Sequence, residues 1–259
     1  AQVEIIRGPQ GTLFGKNTLG GAINVISKEP SEELSGAIEG RWADDDESYG
    51  VSARVSGPLI KDVLLGTLAV SYDESDGFYE LIGAPTENNW DEKESTVIKG
   101  SLKWMVGEEG VLRINASSGE FEGPNTTLSP VEDNDTDASN SDGSALLSVQ
   151  PEYNADITRI NAIYQTPLTD NTDMSITFGY DNREEDSLTD GDFLPIDILQ
   201  RVGEREDDFY QFELRFTTAF SDHVRLMYAA FYSEQETETF LETQLRGPGL
   251  SSFGTSDIE

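Results

Sequence analysis

Residues 210–217, YQFELRFT, place an apolar side chain at every even position and a polar one at every odd position. Side chains of an extended chain alternate between two faces, so this octapeptide predicts a β-strand with one greasy side and one polar side. The same two-residue period extends in both directions. Met174, Ile176, Phe178 and Tyr180 precede it, and Val224, Leu226, Tyr228, Ala230 and Tyr232 follow. Further upstream it recurs over 34–42, 49–55, 64–72, 98–104, 112–116 and 160–164, which makes nine predicted strands; no helical period of comparable length occurs.

The connections between these strands are short and long by turns. Residues 57–62, 106–110, 166–173 and 219–222 are tight, whereas 74–93, 121–155 and 184–207 are extended and strongly acidic; 43–48 is the one brief connection on the long side. Hairpins that close tightly at one end and sprawl at the other match the layout of an outer-membrane barrel, and a soluble sandwich has no reason to sort its loops by length. Trp42, Tyr72, Trp104, Tyr164, Tyr180, Tyr210 and Tyr232 fall near the ends of the apolar faces, where amphipathic rings meet lipid headgroups; aromatics are also simply common in strands.

Composition narrows the field further. With 17 Lys and Arg against 50 Asp and Glu the 259-residue chain carries a net charge of −33, which disfavours nucleic acid as a partner. It contains no run of about 18 apolar residues and so no helical membrane span, but a membrane strand is apolar only at alternate positions. The absence of cysteine excludes thiolate catalysis and cysteine-ligated metals. The first residue lies within a strand segment and the last ends a polar stretch with no strand pattern, so the chain is expected to be a fragment.

Only residues 2–30, QVEIIRGPQGTLFGKNTLGGAINVISKEP, depart from the monotonous alternation. Val3 to Ile6 read as a strand, Arg7-Gly8-Pro9-Gln10-Gly11 as a tight turn, Thr12 to Phe14 as one short helical turn, and Ala22 to Ile26 as a second strand. Gly15, Gly20 and Gly21 give the backbone freedom for close approach or positive φ. Neither a Walker pattern nor GxGxxG between strand and helix is present, which argues against nucleotide binding.

This stretch resembles the end of the plug domain of TonB-dependent outer-membrane receptors, where a strand, an RGP turn and a GGxINxxTK-like strand follow in this order. Phe14-Gly15-Lys16 stands where the family usually shows Tyr-Gly-Arg, and Ser27-Lys28 stands for Thr-Lys. The resemblance implies an all-β chain: the C-terminal part of a plug domain over residues 1–33, then about nine strands of a partial transmembrane antiparallel β-barrel over 34–259. A complete barrel of this kind has about 22 strands around a plugged lumen, so the first and ninth strands are expected to present open edges.

The resemblance further implies a monomeric receptor in the outer membrane of a Gram-negative bacterium, among lipid and lipopolysaccharide. Such a receptor takes up a scarce nutrient, most often a ferric siderophore, using energy delivered by the TonB complex through an N-terminal TonB box. No catalysis and no cofactor are implied. The plug motif residues carried over are Arg7, Gly8, Pro9, Gly11, Gly15, Gly20, Gly21 and Asn24, with Arg7 expected to pair with barrel glutamates on later strands and to hold the plug at rest. Cobalamin, oligosaccharide or another bulky solute fits the same architecture. A plugless porin or adhesin accounts for the strands but not for residues 2–30, and a soluble all-β module accounts for the alternation alone.

Little in the chain suggests other chemistry. The single histidine, His223, reads as a turn residue, and scattered carboxylates without a pocket do not make a glycosidase. Residues 132–137, EDNDTD, resemble the start of a calcium loop but lack the expected glycine and the distal glutamate, and read as a solvated loop. The basic residues Arg41, Arg54, Lys99, Lys103, Arg113, Arg159, Arg183, Arg215 and Arg225 fall on the polar strand faces. They are expected to pair with acids of the plug and of adjacent strands such as Glu39, Asp181 and Glu213, with a basic wall for anionic ligands as the alternative.

Overall fold

A computed structural model describes residues 2–8, 20–78, 80–82, 89, 91–124, 144–146, 148–191, 196–246 and 255–258. Its strands, in order, are β1 (Gln2–Arg7), β2 (Gly21–Ile26), β3 (Ser35–Trp42), β4 (Tyr49–Ile60), β5 (Leu64–Ser75), β6 (Glu80–Ile82) and β7 (Lys93–Val106). They continue with β8 (Gly110–Gly123), β9 (Ser144–Leu146), β10 (Glu152–Thr169), β11 (Thr172–Asp190), β12 (Leu199–Ser221), β13 (Val224–Leu245) and β14 (Thr255–Ile258). One open antiparallel sheet of ten strands runs β14-β13-β12-β11-β10-β8-β7-β5-β4-β3; β1 and β2 pair by themselves, and β6 and β9 form a small parallel pair.

All nine expected strands are present in the expected order, and their register aligns the alternation across the sheet. Leu102 stands opposite Ile114, Ile114 opposite Ala162, Ala162 opposite Phe178, Phe178 opposite Phe212 and Phe212 opposite Tyr232, so the apolar positions of neighbouring strands share one continuous face. None of the described residues covers that face. Ile38 is 84% exposed, and among the described residues only Leu65 and Ala155 are buried hydrophobics. Leaving a large aliphatic or aromatic side chain in water forgoes about 1.5–3 kcal/mol of burial, so an apolar face spread over nine strands requires an apolar solvent.

Aromatic rings edge this face. At the long-loop end Trp42 pairs with Tyr49, whose ring lies 5.9 Å from Tyr72, and Tyr180 stacks on Tyr210 at 4.8 Å. At the short-turn end Trp104, Leu112 and Tyr164 lie in register, and Phe216 stacks on Tyr228 at 5.3 Å. From Leu64, opposite Trp104, to Tyr72 the strand β5 rises about 26 Å at about 3.3 Å per residue. The nine residues from Leu64 to Tyr72 fall within the about 9–11 that a tilted strand needs to cross a hydrocarbon layer.

Three expectations about the ends of strands are corrected. The long connection expected over 184–207 is mostly ladder: β11 runs to Asp190 and β12 begins at Leu199, because the alternation continues in Asp, Glu, Arg and Ser after the apolar residues stop. Likewise β8, β10, β5 and β7 extend to Gly123, from Glu152, to Ser75 and from Lys93 into stretches read as loop. The polar stretch at the end of the sequence holds β14, which pairs with 239–242 of β13 and covers part of the expected open edge there; β3 is the other edge.

Substituting the lipid-facing Leu214 by Arg in the complete protein is expected to lower stability by about 2–4 kcal/mol, the penalty for a cation near the bilayer midplane. Thr177→Arg, on the opposite face, is expected to change it by less than about 1 kcal/mol. Urea unfolding in lipid vesicles measures both.

Candidate functional site

The β1–β2 hairpin is built on a glycine. Gly21, at φ 136°, faces Arg7 across the ladder, and a side chain there would run into the backbone carbonyl of Ile6. Gly8 leaves β1 at φ 85°, whereas Gly20 has open space around it and no special φ. Asn24 stands opposite Glu4 and donates its side-chain N–H to the Glu4 carboxylate at 3.1 Å. Arg7 ends β1 exposed, with no ion-pair partner among the described residues. Pro9, Gly11, Gly15 and the helical turn at 12–14 lie outside the described residues, as does the calcium-like stretch 132–137.

After β2 the chain crosses to the polar face of the large sheet and is fastened there. Lys103 Nζ on β7 and Arg113 Nε on β8 donate to the two carboxylate oxygens of Glu29 at 2.5 and 2.7 Å. Two residues on, the Ser31 backbone N–H donates to Ser56 Oγ on β4 at 2.9 Å. The hydrogen bonds from Lys103 and Arg113 hold the Glu29 carboxyl below its ordinary value of 4.5. With Glu29 itself half-exposed, each ion pair is worth about 1 kcal/mol or less, enough to position a linker and too little to weld it.

The polar face keeps its charges paired. Arg159 bonds Asp181 across a strand pair; Arg183 bonds Glu185, Arg205 bonds Asp207 and Arg215 bonds Glu213 along their strands. Arg41 on β3 reaches over β4 to Asp73 on β5, and the intervening residue is Gly50, where any side chain would collide with both partners. Structural pairing, the reading preferred from sequence, thus accounts for Arg41, Arg159, Arg183 and Arg215, while Lys103 and Arg113 hold the linker. The acids are partly other than expected: Asp181 and Glu213 serve, but Glu39 forms no ion pair among the described residues. Arg54, Lys99 and Arg225 likewise have none.

Between the charged rows lies an uncharged one. Ser56, Thr67, Ser101, Asn115, Asn161, Gly179, Gln211 and Ser233 stand opposite one another in turn across β4, β5, β7, β8, β10, β11, β12 and β13. In front of this ribbon a cavity of about 440 Å³ separates the wall from Val25 and Ser27 at the hairpin's exit. Pairing of wall cations with acids of the N-terminal segment was expected, but Glu29 could not be singled out, being 74 and 84 residues from its partners, and the ribbon exists only once the register is known. His223 occupies an exposed turn, and no group of three or more metal-ligating side chains occurs among the described residues.

A single-layered antiparallel sheet with an uncovered apolar band, short turns at one end and an N-terminal hairpin fastened to its polar face matches in fold the barrel walls of TonB-dependent receptors. The chain is similar over a partial stretch to the pesticin receptor of Yersinia pestis, at 40% identity over 75 residues, 29% of this chain and 11% of that protein. It is similar also to the probable TonB-dependent siderophore receptor PirA of Acinetobacter baumannii, at 30% identity over 125 residues, 45% of this chain and 16% of the relative. The ferric yersiniabactin uptake receptor FyuA from Yersinia pestis shares the fold at a TM-score of 0.82 and 16% identity, over 98% of this chain and 38% of that one. The chain thus spans well under half the length of these proteins. No protein-family model matches it.

Because the folded-state pKa of Glu29 is depressed, the clamp contributes fully above the ordinary glutamate value and is lost as pH falls through the lowered one. Hydrogen-exchange protection of residues 27–33 in the complete protein, taken relative to the intrinsic rate at each pH, is expected to be higher at pH 7 than in acid below the lowered Glu29 value. Glu29→Gln is expected to show the lower protection at both pH values.

Proposed function

We propose that residues 1–33 are the end of a plug and residues 34–259 the first barrel strands of an outer-membrane receptor of a Gram-negative bacterium that imports ferric siderophores. The observation that carries this reading is the linker clamp, which puts a plug-like hairpin on the polar side of a wall whose other side requires lipid. The long-loop end then faces outward, among lipopolysaccharide, and the short turns face the periplasm. The complete receptor is a monomer whose N-terminal TonB box engages the TonB complex. It binds its ferric chelate at the outer face, and work done through TonB rearranges the plug so that the chelate passes; no bond is made or broken in it, so it is not an enzyme.

Within the plug, Arg7, Gly8, Pro9, Gly11, Gly15, Gly20, Gly21 and Asn24 form the motif that sets the resting state. Arg7 is the charged member, aimed at glutamates of strands beyond this chain. The names of the relatives support the substrate class, since they include siderophore and ferripyoverdine receptors.

Deleting the receptor and supplying iron-55 as hydroxamate, catecholate, phenolate and carboxylate chelates is expected to abolish energy-dependent uptake of at least one class, with recovery on re-expression. Unchanged uptake of all four refutes the reading. Arg7→Ala in the complete receptor is expected to lower uptake or plug stability; both unaltered removes its assigned role.

A further inference from the structure

One region of the lipid-side face is hollow. On β11, β12 and β13 that face carries Phe178, Phe212 and Tyr232, one against the next. Over β3, β4, β5 and β7 it sinks instead into a groove of about 730 Å³. Ile38, Val55, Leu68, Val70 and Ile98 stand around it, all of them exposed, with Gly36 and Ala53 between them.

The floor of the groove is main chain. Ala37 and Arg54 line it although the alternation turns their side chains to the polar face, and a Cβ added at Gly36 would stand 3.3 Å from the Arg54 carbonyl oxygen. Between the groove and the outer ring of aromatics stands Gly40, in register with Val51 and Tyr72 and with nothing within 4 Å of the place its Cβ would take. The way along β3 from headgroup level into the groove is therefore open.

What fills this groove follows from where it lies. It sits between the two rings of aromatics and is continuous with the surface that meets the bilayer, so hydrocarbon covers it. An apolar recess gives water too few partners, and a recess left empty forfeits the dispersion contacts of every atom around it. Lipid chains are as apolar as these side chains, so any preference comes from shape. A chain lying in a recess is touched from several sides, whereas one lying on a convex wall is touched from one.

We infer that the groove seats one acyl chain of outer-leaflet lipopolysaccharide and holds it while the lipid around the barrel exchanges. Val70 lies two residues from Tyr72 of the outer ring and six from Leu64, which is level with Trp104 of the inner ring, so the chain enters from the outer leaflet. The ring above the groove offers Trp42, Tyr49, Tyr72 and Glu74, and no lysine or arginine of the large sheet lies on that face. It is thus the chain that is recognised and not the phosphate. The inference rests on the orientation proposed above, with the long loops outward, and not on what the receptor imports.

The test uses the complete receptor, extracted from the outer membrane in a mild detergent, with the lipid of that membrane as probe. Native mass spectrometry after gel filtration counts lipopolysaccharide per chain. Ala53→Phe fills the groove, Ile38→Ala removes part of its wall, and Ala162→Phe places the same bulk on the same face outside it. The unaltered receptor is expected to retain about one lipopolysaccharide. Ala53→Phe and Ile38→Ala are expected to lower retention about fivefold, the value of roughly five to ten carbon contacts, and Ala162→Phe to leave it unchanged. Orientation is read separately, from labelling of Asp45→Cys on intact cells by a membrane-impermeant maleimide. No labelling overturns the outward reading and the inference with it. With labelling present, the inference alone is overturned by no retained lipopolysaccharide, by a phospholipid or a second receptor chain in its place, by equal retention in Ala53→Phe and Ile38→Ala, or by equal loss in Ala162→Phe. If Ala53→Phe fails to insert, Ile38→Ala decides.

Discussion

An apolar surface that none of the described residues covers is the constraint from which the rest follows. A water-soluble chain of this length would fold its sheet against a second layer, whereas only two buried hydrophobic residues occur among the described ones. The ladder can stand as a single layer because its backbone groups are satisfied between strands, which is the condition for crossing hydrocarbon in β-form. It also explains the pattern in sequence. Half the residues of each strand answer to lipid, half to water, and neither half needs the complementary shapes of a packed core.

The charges obey the same division. On the strands of the large sheet every lysine and arginine falls on the polar face, and it is there that the ion pairs form. Beyond the outer ring of aromatics, the lipid-side face carries carboxylates instead: Glu184, Glu206 and Glu238 stand directly opposite one another on β11, β12 and β13. Opposed like charges destabilise a ladder, but by less than about 1 kcal/mol per pair. Long runs of continuous backbone pairing on either side of β12 outweigh that.

The fold was legible in sequence wherever one face was greasy. Tyr210 to Phe216 could be placed to the residue, because a one-residue slip would turn the apolar side chains toward water. Past Tyr180 and Tyr210 the alternation passes into Asp, Glu and Ser, where both faces are polar and period two leaves no trace in hydropathy; there the strands were read as loop. The hairpin was legible for a different reason. Gly21 is required by a backbone that a side chain would block, and such positions mark the sequence directly. Glu29, the residue that joins hairpin to wall, has no such mark, since a carboxylate between Lys28 and Pro30 looks like any solvated turn.

That join has a strength suited to its position. Val3, Ile5, Ile23 and Val25 of the hairpin remain exposed, so among the described residues no hydrophobic contact holds the hairpin to the wall. It is held through the linker, by two half-solvated ion pairs and one backbone hydrogen bond. Hydrophobic docking scales with area and would resist displacement at every point, whereas ionic contacts confined to 29–31 fix one point and leave the segment before it free to turn. A segment tied this way can turn without losing its place, and Lys103 and Arg113 on adjacent strands supply the fixed point.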